Sequence, residues 1–171
     1  VYLLKISTRP IVTPPSDVST EGTGALTLVS IGTATATDDE TAPGDILITN
    51  NAPADGFPVG VTIVTWTAED GAGNQSTATQ TVTITDTTAP VITILGDNPI
   101  TATFGQPYID PWATATDLVD GSVQVSATSQ EGSTAGTFQV IYSATDSAGN
   151  TSTATRLVVI ADTTPPVITI I

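Results

Sequence analysis

Apolar and polar positions alternate along most of this chain. Thr62, Val64, Trp66 and Ala68 share one parity, and Phe138, Val140, Tyr142 and Ala144 repeat it later. A period of two predicts half-buried β-strands, because successive side chains of a strand point to opposite faces of its sheet. The runs that follow carry Ala78, Val82 and Ile84, then Ala154, Val158 and Ile160, with Thr residues interleaved on the face left for solvent. No stretch has the 3.6-residue period of a helix. Pro14, Pro15, Pro43, Pro58, Pro90, Pro107 and Pro111, with Gly44, Gly60, Gly132 and Gly136, cut the chain into short extended runs. Six or seven short strands per module imply a sandwich.

The alternation is organised by an internal repeat. Trp66 to Asn74 reads WTAEDGAGN, followed by a Thr-rich run and then TTAPVITIL ending at Leu95; YSATDSAGN from Tyr142 to Asn150 leads to TTPPVITII ending at Ile171, 76 residues further on throughout. That spacing is the length of one small β-domain. A weaker echo pairs ATATD at Ala34–Asp38 with ATATD at Ala113–Asp117, 79 residues apart, so the modules differ by a short insertion. Each Asp-x-Ala-Gly-Asn element predicts a tight hairpin turn, with Asp and Asn bonding nearby backbone and Gly free to take a positive φ. The predicted fold class is therefore all-β, two tandem immunoglobulin-like β-sandwich domains. The expected boundaries are an N-terminal β segment at 1–8, sandwiches at 9–85 and 86–162, and the start of a further linker or strand at 163–171.

At these residues the resemblance to known families becomes specific. The stretch 9–85, with ATATD at Ala34–Asp38, FPVG at Phe57–Gly60, Val64-Thr-Trp66 and DGAGN at Asp70–Asn74, resembles a hyalin-repeat module. That family often carries two cysteines; this chain has none, so no family disulfide transfers. The stretch 86–162, with GQPYIDP at Gly105–Pro111, ATATD at Ala113–Asp117, Asp120-Gly121, Gly136-Thr-Phe138 and DSAGN at Asp146–Asn150, resembles the bacterial Ig-like module of the pesticidal-crystal-protein type. Both families occur as repeats in large extracellular proteins. The resemblance implies an extracellular or cell-surface location and a role in adhesion or spacing, and it identifies no ligand.

Composition narrows the chemistry. The chain lacks Cys, His and Met, which removes the thiol nucleophile, the near-neutral acid/base group and the soft metal ligands. Lys5, Arg9 and Arg156 alone oppose seventeen carboxylates, and the net charge of −14 repels nucleic acid and anionic membrane surfaces. No apolar run reaches the roughly 18 residues of a membrane span. Ser and Thr are plentiful without a base to activate them, and a glycosidase-like pairing of Asp117 with Asp120 has no predicted cleft around it. The expectation is a protein that is not an enzyme.

Divalent cation binding is the strongest chemical candidate, because Ca²⁺ takes six to eight oxygen ligands and the carboxylates are concentrated in loops. Strand parity returns the loop after the second strand and the final hairpin to the end where the chain enters each sandwich. In the second module Asp117, Asp120, Asp146 and Asn150 then approach the linker residue Asp86; in the first, Asp38, Asp39, Asp70 and Asn74 gather at its own entrance, and Asp162 is left for a following module or subunit. Ca²⁺ is preferred to Zn²⁺ because the nitrogen and sulfur ligands of zinc are missing. The competing reading is turn chemistry alone, in which Asp and Asn satisfy backbone donors with no metal. Asn74-Gln-Ser76 and Asn150-Thr-Ser152 also match the N-glycosylation acceptor pattern, and the exposed Thr rows admit O-linked sugar or ordered water. Trp66 and Tyr142 read as core residues; Trp112 and Tyr108 flank a Pro-rich turn whose exposure the sequence leaves open.

Apolar segments, Val1–Ile6 and Pro166–Ile171, lie at both ends. They are consistent either with a longer tandem array or with β-strand addition to a neighbouring subunit, giving head-to-tail contact between copies of the protein. The expected function is a structural or adhesive repeat module, a building block of a cell-surface filament or large surface protein with Ca²⁺-stiffened joints. The alternative is a carbohydrate- or protein-binding accessory module of a secreted enzyme or toxin, recognising a surface glycan or protein ligand through its loops.

Overall fold

The computed structural model describes residues 8–129, 135–163 and 165–169. The segment 1–8 expected as a donor strand lies outside them apart from Thr8, as do Ile170 and Ile171. The chain divides after Asp86 into two compact units. Each is an all-β sandwich, with one short 3₁₀ turn at Pro43–Asp45 as the helical element among the described residues.

The first unit contains β1 (Ile11–Thr13), β2 (Val18–Glu21), β3 (Thr35–Thr37), β4 (Leu47–Asn50), β5 (Gly60–Glu69) and β6 (Gln75–Thr85). Its larger sheet has the order β2-β6-β5-β4, and β1 pairs with β3 in the facing sheet. The second unit contains β7 (Val91–Ile94), β8 (Ile100–Thr103), β9 (Ala113–Asp117), β10 (Gly121–Val123), β11 (Val125–Ser129), β12 (Gly136–Thr145) and β13 (Thr151–Ala161). Its sheets run β11-β12-β13-β8 and β10-β9-β7.

The long hairpins β5–β6 and β12–β13 are the repeats with a period of two, and their register places Trp66 opposite Ala78 and Tyr142 opposite Ala154. Along β5, Val64, Trp66 and Ala68 are buried, and along β12 so are Val140, Tyr142 and Ala144. Against the first hairpin pack Val12, Val29, Ile31 and Ile48; against the second pack Ile92, Ile94, Ile100 and Ala113. Trp66 and Tyr142 are core residues, as their alignment implied.

The entering chain serves both sheets. β1 pairs antiparallel with β3, then β2 pairs parallel with β6, Val18 opposite Val82. The second unit repeats the crossover, with β7 antiparallel to β9 and β8 parallel to β13. Pro14 and Pro15 force the change in the first unit, since proline cannot donate to a ladder. A crossover leaves backbone carbonyls without ladder partners, and buried carbonyls need donors. Position 80 and its repeat, position 156, supply them. Gln80 Nε2 donates to the carbonyls of Ser16 (2.7 Å) and Ile31 (3.0 Å), while Trp66 Nε1 donates to Gln80 Oε1 at 3.1 Å. In the second unit the fully buried Arg156 donates to the carbonyls of Leu95, Trp112 (3.0 Å) and Asp97 (3.4 Å). Its Nε also donates to Tyr142 Oη at 2.9 Å and lies 3.6 Å from Asp110 Oδ1.

Arg156 shares the inward parity of Ala154 and Val158, so the alternation itself points this charged residue into the core. Tyr142 Oη donates to both Asp110 oxygens, at 2.7 and 2.8 Å. Burial first, then the bond to Asp110, push the Tyr142 phenol up to about 12 against the lowering effect of Arg156. Because the folded state then holds its proton more tightly than the unfolded chain, stability is lost as pH rises from about 10 toward 12. Absorbance titration of tyrosinate should show Tyr142 ionising together with unfolding of its unit. Removing Asp110 leaves a buried guanidinium without its counterion; Asp110→Ala should lower stability by about 3–5 kcal/mol. Gln80→Leu orphans acceptors and a donor, for about 1–3 kcal/mol. Urea denaturation followed by amide resonances of each unit measures both.

Candidate functional site

Both final hairpins close on the same turn. Asp70 N donates to the Asn74 carbonyl (3.0 Å), and Asp70 Oδ1 accepts from the amides of Ala72 and Asn74, each at 2.8 Å. Asn74 Nδ2 donates to Asp70 Oδ2 (2.7 Å) and to the Thr8 carbonyl (3.2 Å). The second turn repeats this: Asn150 N donates to Asp146 Oδ1 (2.7 Å), and Asn150 Nδ2 donates to Asp146 Oδ2 (2.8 Å) and the Thr88 carbonyl (3.3 Å). Gly73 and Gly149 hold φ of 86° and 94°, which only glycine adopts without strain. Both amide protons of each Asn are engaged, so a glycan on Asn74 or Asn150 would displace a bond of the turn.

The loops after β3 and β9 are tied to these hairpins at equivalent positions. Thr41 Oγ1 accepts from the Gly71 amide at 3.2 Å; Asp120 Oδ2 accepts from the Ser147 amide and Asp120 Oδ1 from the Ser147 hydroxyl, each at 2.7 Å. Asp120 is thus a tether of the turn, with both oxygens directed at Ser147. Asp38 Oδ1 accepts from the amides of Glu40 (3.0 Å) and Thr41 (2.8 Å), and Asp117 Oδ1 from those of Val119 (2.7 Å) and Asp120 (3.0 Å). Asp39 Oδ1 accepts from Thr8 Oγ1 at 2.5 Å.

Strand parity therefore returns loop and hairpin to the entry end of each unit, and in the second unit this brings Asp117 and Asp146 beside the boundary residue Asp86. Asp86, Asp117 and Asp146 are all buried, and one oxygen from each lies within 4.8 Å of the others. Asp117 Oδ2 is buried and accepts no hydrogen bond. Among the described residues, this is the group whose oxygens converge as cation ligands would. In the first unit Asp38, Asp39, Asp70 and Asn74 reach the same end without such a three-carboxylate group among the described residues. Counting back from Thr8 and Thr88, which make the same bond, the sequence has Ile6 at the position that corresponds to Asp86. Asp162 is exposed just beyond β13, at the position that repeats Asp86.

Hydrogen bonding lowers the carboxyls that anchor the turns. For Asp70 the Asn74 side chain is the main cause and outweighs burial. For Asp146 burial is the largest influence and raises the value, but bonds from the Asn150 side chain and amide, with those of Gly149 and Ala148, bring the net shift downward. Asp38 is lowered by the amides of Thr41 and Glu40, against burial and the charge of Asp70.

Two all-β sandwiches in tandem define the class: a repeat protein built of small β-sandwich modules. Residues 8–84 match the HYR domain and residues 92–160 match the family described as bacterial surface protein, Ig-like domain. The chain is thus similar to an HYR module over its first part and to a bacterial surface Ig-like module over its second, and its location is extracellular or on the cell surface. It is 39% identical to hyalin of Lytechinus variegatus over 96% of its length and 38% identical to hyalin of Strongylocentrotus purpuratus over 75%. It spans 33% and 12% of those relatives. Protocadherin gamma B2 extracellular cadherin domains 1–5 superpose over 92% of this chain and 41% of that one, with a TM-score of 0.40 at 15% identity. No helix among the described residues is long and apolar enough to cross a membrane.

A lowered Asp contributes stability above its unfolded value near 3.9, and that contribution disappears as pH falls through the folded value. Asn74→Ala should raise the Asp70 titration toward the ordinary carboxyl value and flatten the acid limb of first-unit stability. Carbon-detected NMR of the Asp side chains between pH 2 and 5 checks it.

Proposed function

We propose that the chain is a spacer and adhesion segment of a surface protein or filament whose entry loops bind Ca²⁺, and that the ion stiffens the chain where it enters the second unit. The convergence of Asp86, Asp117 and Asp146 carries this reading. Three carboxylates this close repel one another, and Ca²⁺, a hard cation that accepts irregular oxygen shells, relieves that repulsion. Asp117 Oδ2 would be a direct ligand, because a buried acceptor without a donor costs about 1–3 kcal/mol. Asp86 would couple the ion to the linker, since it directly precedes the first residue of the second unit. Asp120 and Asn150 would act by holding the loop and the turn in place. Asp38, Asp39, Asp70 and Asn74 would shape the first entrance, and Asp162 would offer the same carboxylate to a following module. Neighbouring modules or copies meeting head to tail, or by strand addition, are the partners this arrangement serves.

Ca²⁺ at a hundredfold excess over its Kd should stabilise the second unit by about 2.7 kcal/mol. Asp117→Asn removes one of the repelling charges, so it should raise stability without Ca²⁺ while abolishing the response to it. Asp70→Asn should leave the response intact. Calorimetry of the 171-residue chain with EDTA and with Ca²⁺ decides; an unchanged wild-type melting curve would reject the ion.

A further inference from the structure

The second unit contains a cavity of about 410 Å³ over the inner face of its four-stranded sheet. Phe138 and Val140 of β12 form the floor, and the segment between β8 and β9, carrying Gln106, Tyr108, Asp110 and Trp112, forms the opposite wall. This segment forms no strand, so no ladder closes over that part of the sheet. We propose that the cavity binds a neutral saccharide.

The wall is built and held. Trp112 has a φ of 75°, rare for a bulky residue, and three bonds fix its backbone. Its amide donates to Asp110 Oδ1 (2.9 Å), and its carbonyl accepts from the Leu95 amide (3.0 Å) and Arg156 Nη2 (3.0 Å). The indole packs edge-on against Tyr142 at 6.2 Å between ring centroids, yet remains 45% exposed. A rigid, half-exposed indole beside a cavity is a surface for stacking.

Charge and polarity select the ligand. Asp110 is paired with Arg156, and its side chain keeps 18% of its surface open, so it offers acceptor capacity with its charge already balanced. A cationic ligand therefore gains little from it, while an anionic ligand meets a chain of net charge −14. A purely apolar ligand would cover the carboxylate without bonding it, which is costly. A pyranose satisfies all three conditions: its C–H face stacks on Trp112, and its hydroxyls donate to Asp110 and exchange bonds with the Gln106 amide. The volume falls within the range of small-molecule sites.

The experiment is an NMR titration of the 171-residue chain with lactose, maltose, cellobiose and N,N′-diacetylchitobiose, reading the Trp112 indole N–H and the Gln106 and Asp110 amides. At least one sugar should shift these signals saturably while the buried Trp66 indole stays still. Gln106→Ala removes an exposed side chain and should weaken that sugar about tenfold, the equivalent of one good hydrogen bond. Trp112→Asn removes the stacking surface with a residue that tolerates positive φ, and should abolish the shifts while the amides of the buried Val140 and Val158 report a folded second unit. No saturable shift with any of the four sugars, or shifts that both variants leave unchanged, would overturn the proposal.

Discussion

A strand that leaves one sheet to join the other abandons carbonyl groups that no ladder can satisfy. Both units meet this constraint with one buried polar side chain on the last strand, Gln80 in the first and Arg156 in the second. Around that side chain the rest is arranged. Gln80 accepts from Trp66, the largest residue of its core, and Arg156 is matched by Tyr142 and Asp110. A second contact reinforces the same crossover: Asp17 Oδ1 accepts from the Thr81 amide at 2.7 Å, and Asn98 Oδ1 from the Leu157 amide at 2.9 Å. Two dissimilar sequences thus solve one hydrogen-bonding problem at equivalent places.

The choice of Arg over Gln has consequences beyond stability. A guanidinium needs an anion when fully buried, and Asp110 supplies it from the segment between β8 and β9. Holding Asp110 there also holds Tyr108 and Trp112, because Tyr108 Oη donates to Asp110 Oδ1 at 3.3 Å and Trp112 bonds the same oxygen. The cavity wall is therefore a product of the core. In the first unit Gln80 demands no counterion, and Val29 and Ile31 pack against the core cluster that contains Phe57 and Trp66.

The entry ends show divergence of the same kind. Asp70 and Asp146 make nearly identical turns, and Thr41 and Asp120 tie those turns to equivalent loops. What differs is the residue that leads in. Asp86 completes a group of three carboxylates, whereas its counterpart by alignment is Ile6. Both oxygens of Asp146 anchor the turn, and the same carboxylate borders the acidic group.

The sequence by itself determined the all-β class, the repeat, the long hairpins and the core roles of Trp66 and Tyr142. These follow from alternation and from turn residues, which are local properties. It also brought Asp86, Asp117 and Asp146 to one end, because the number of strand reversals fixes which loops share an end. Tertiary structure alone decided how each carboxylate spends its oxygens: Asp120 on Ser147, Asp110 on Arg156 and Tyr142, Asp117 with one oxygen bonded and one not. Composition counts Arg156 as one of three cations, and parity points it inward, yet the carbonyls it bonds come from segments 44 to 61 residues away. Which groups meet across such distances depends on the packing of the two sheets, and no periodicity along the chain encodes that meeting.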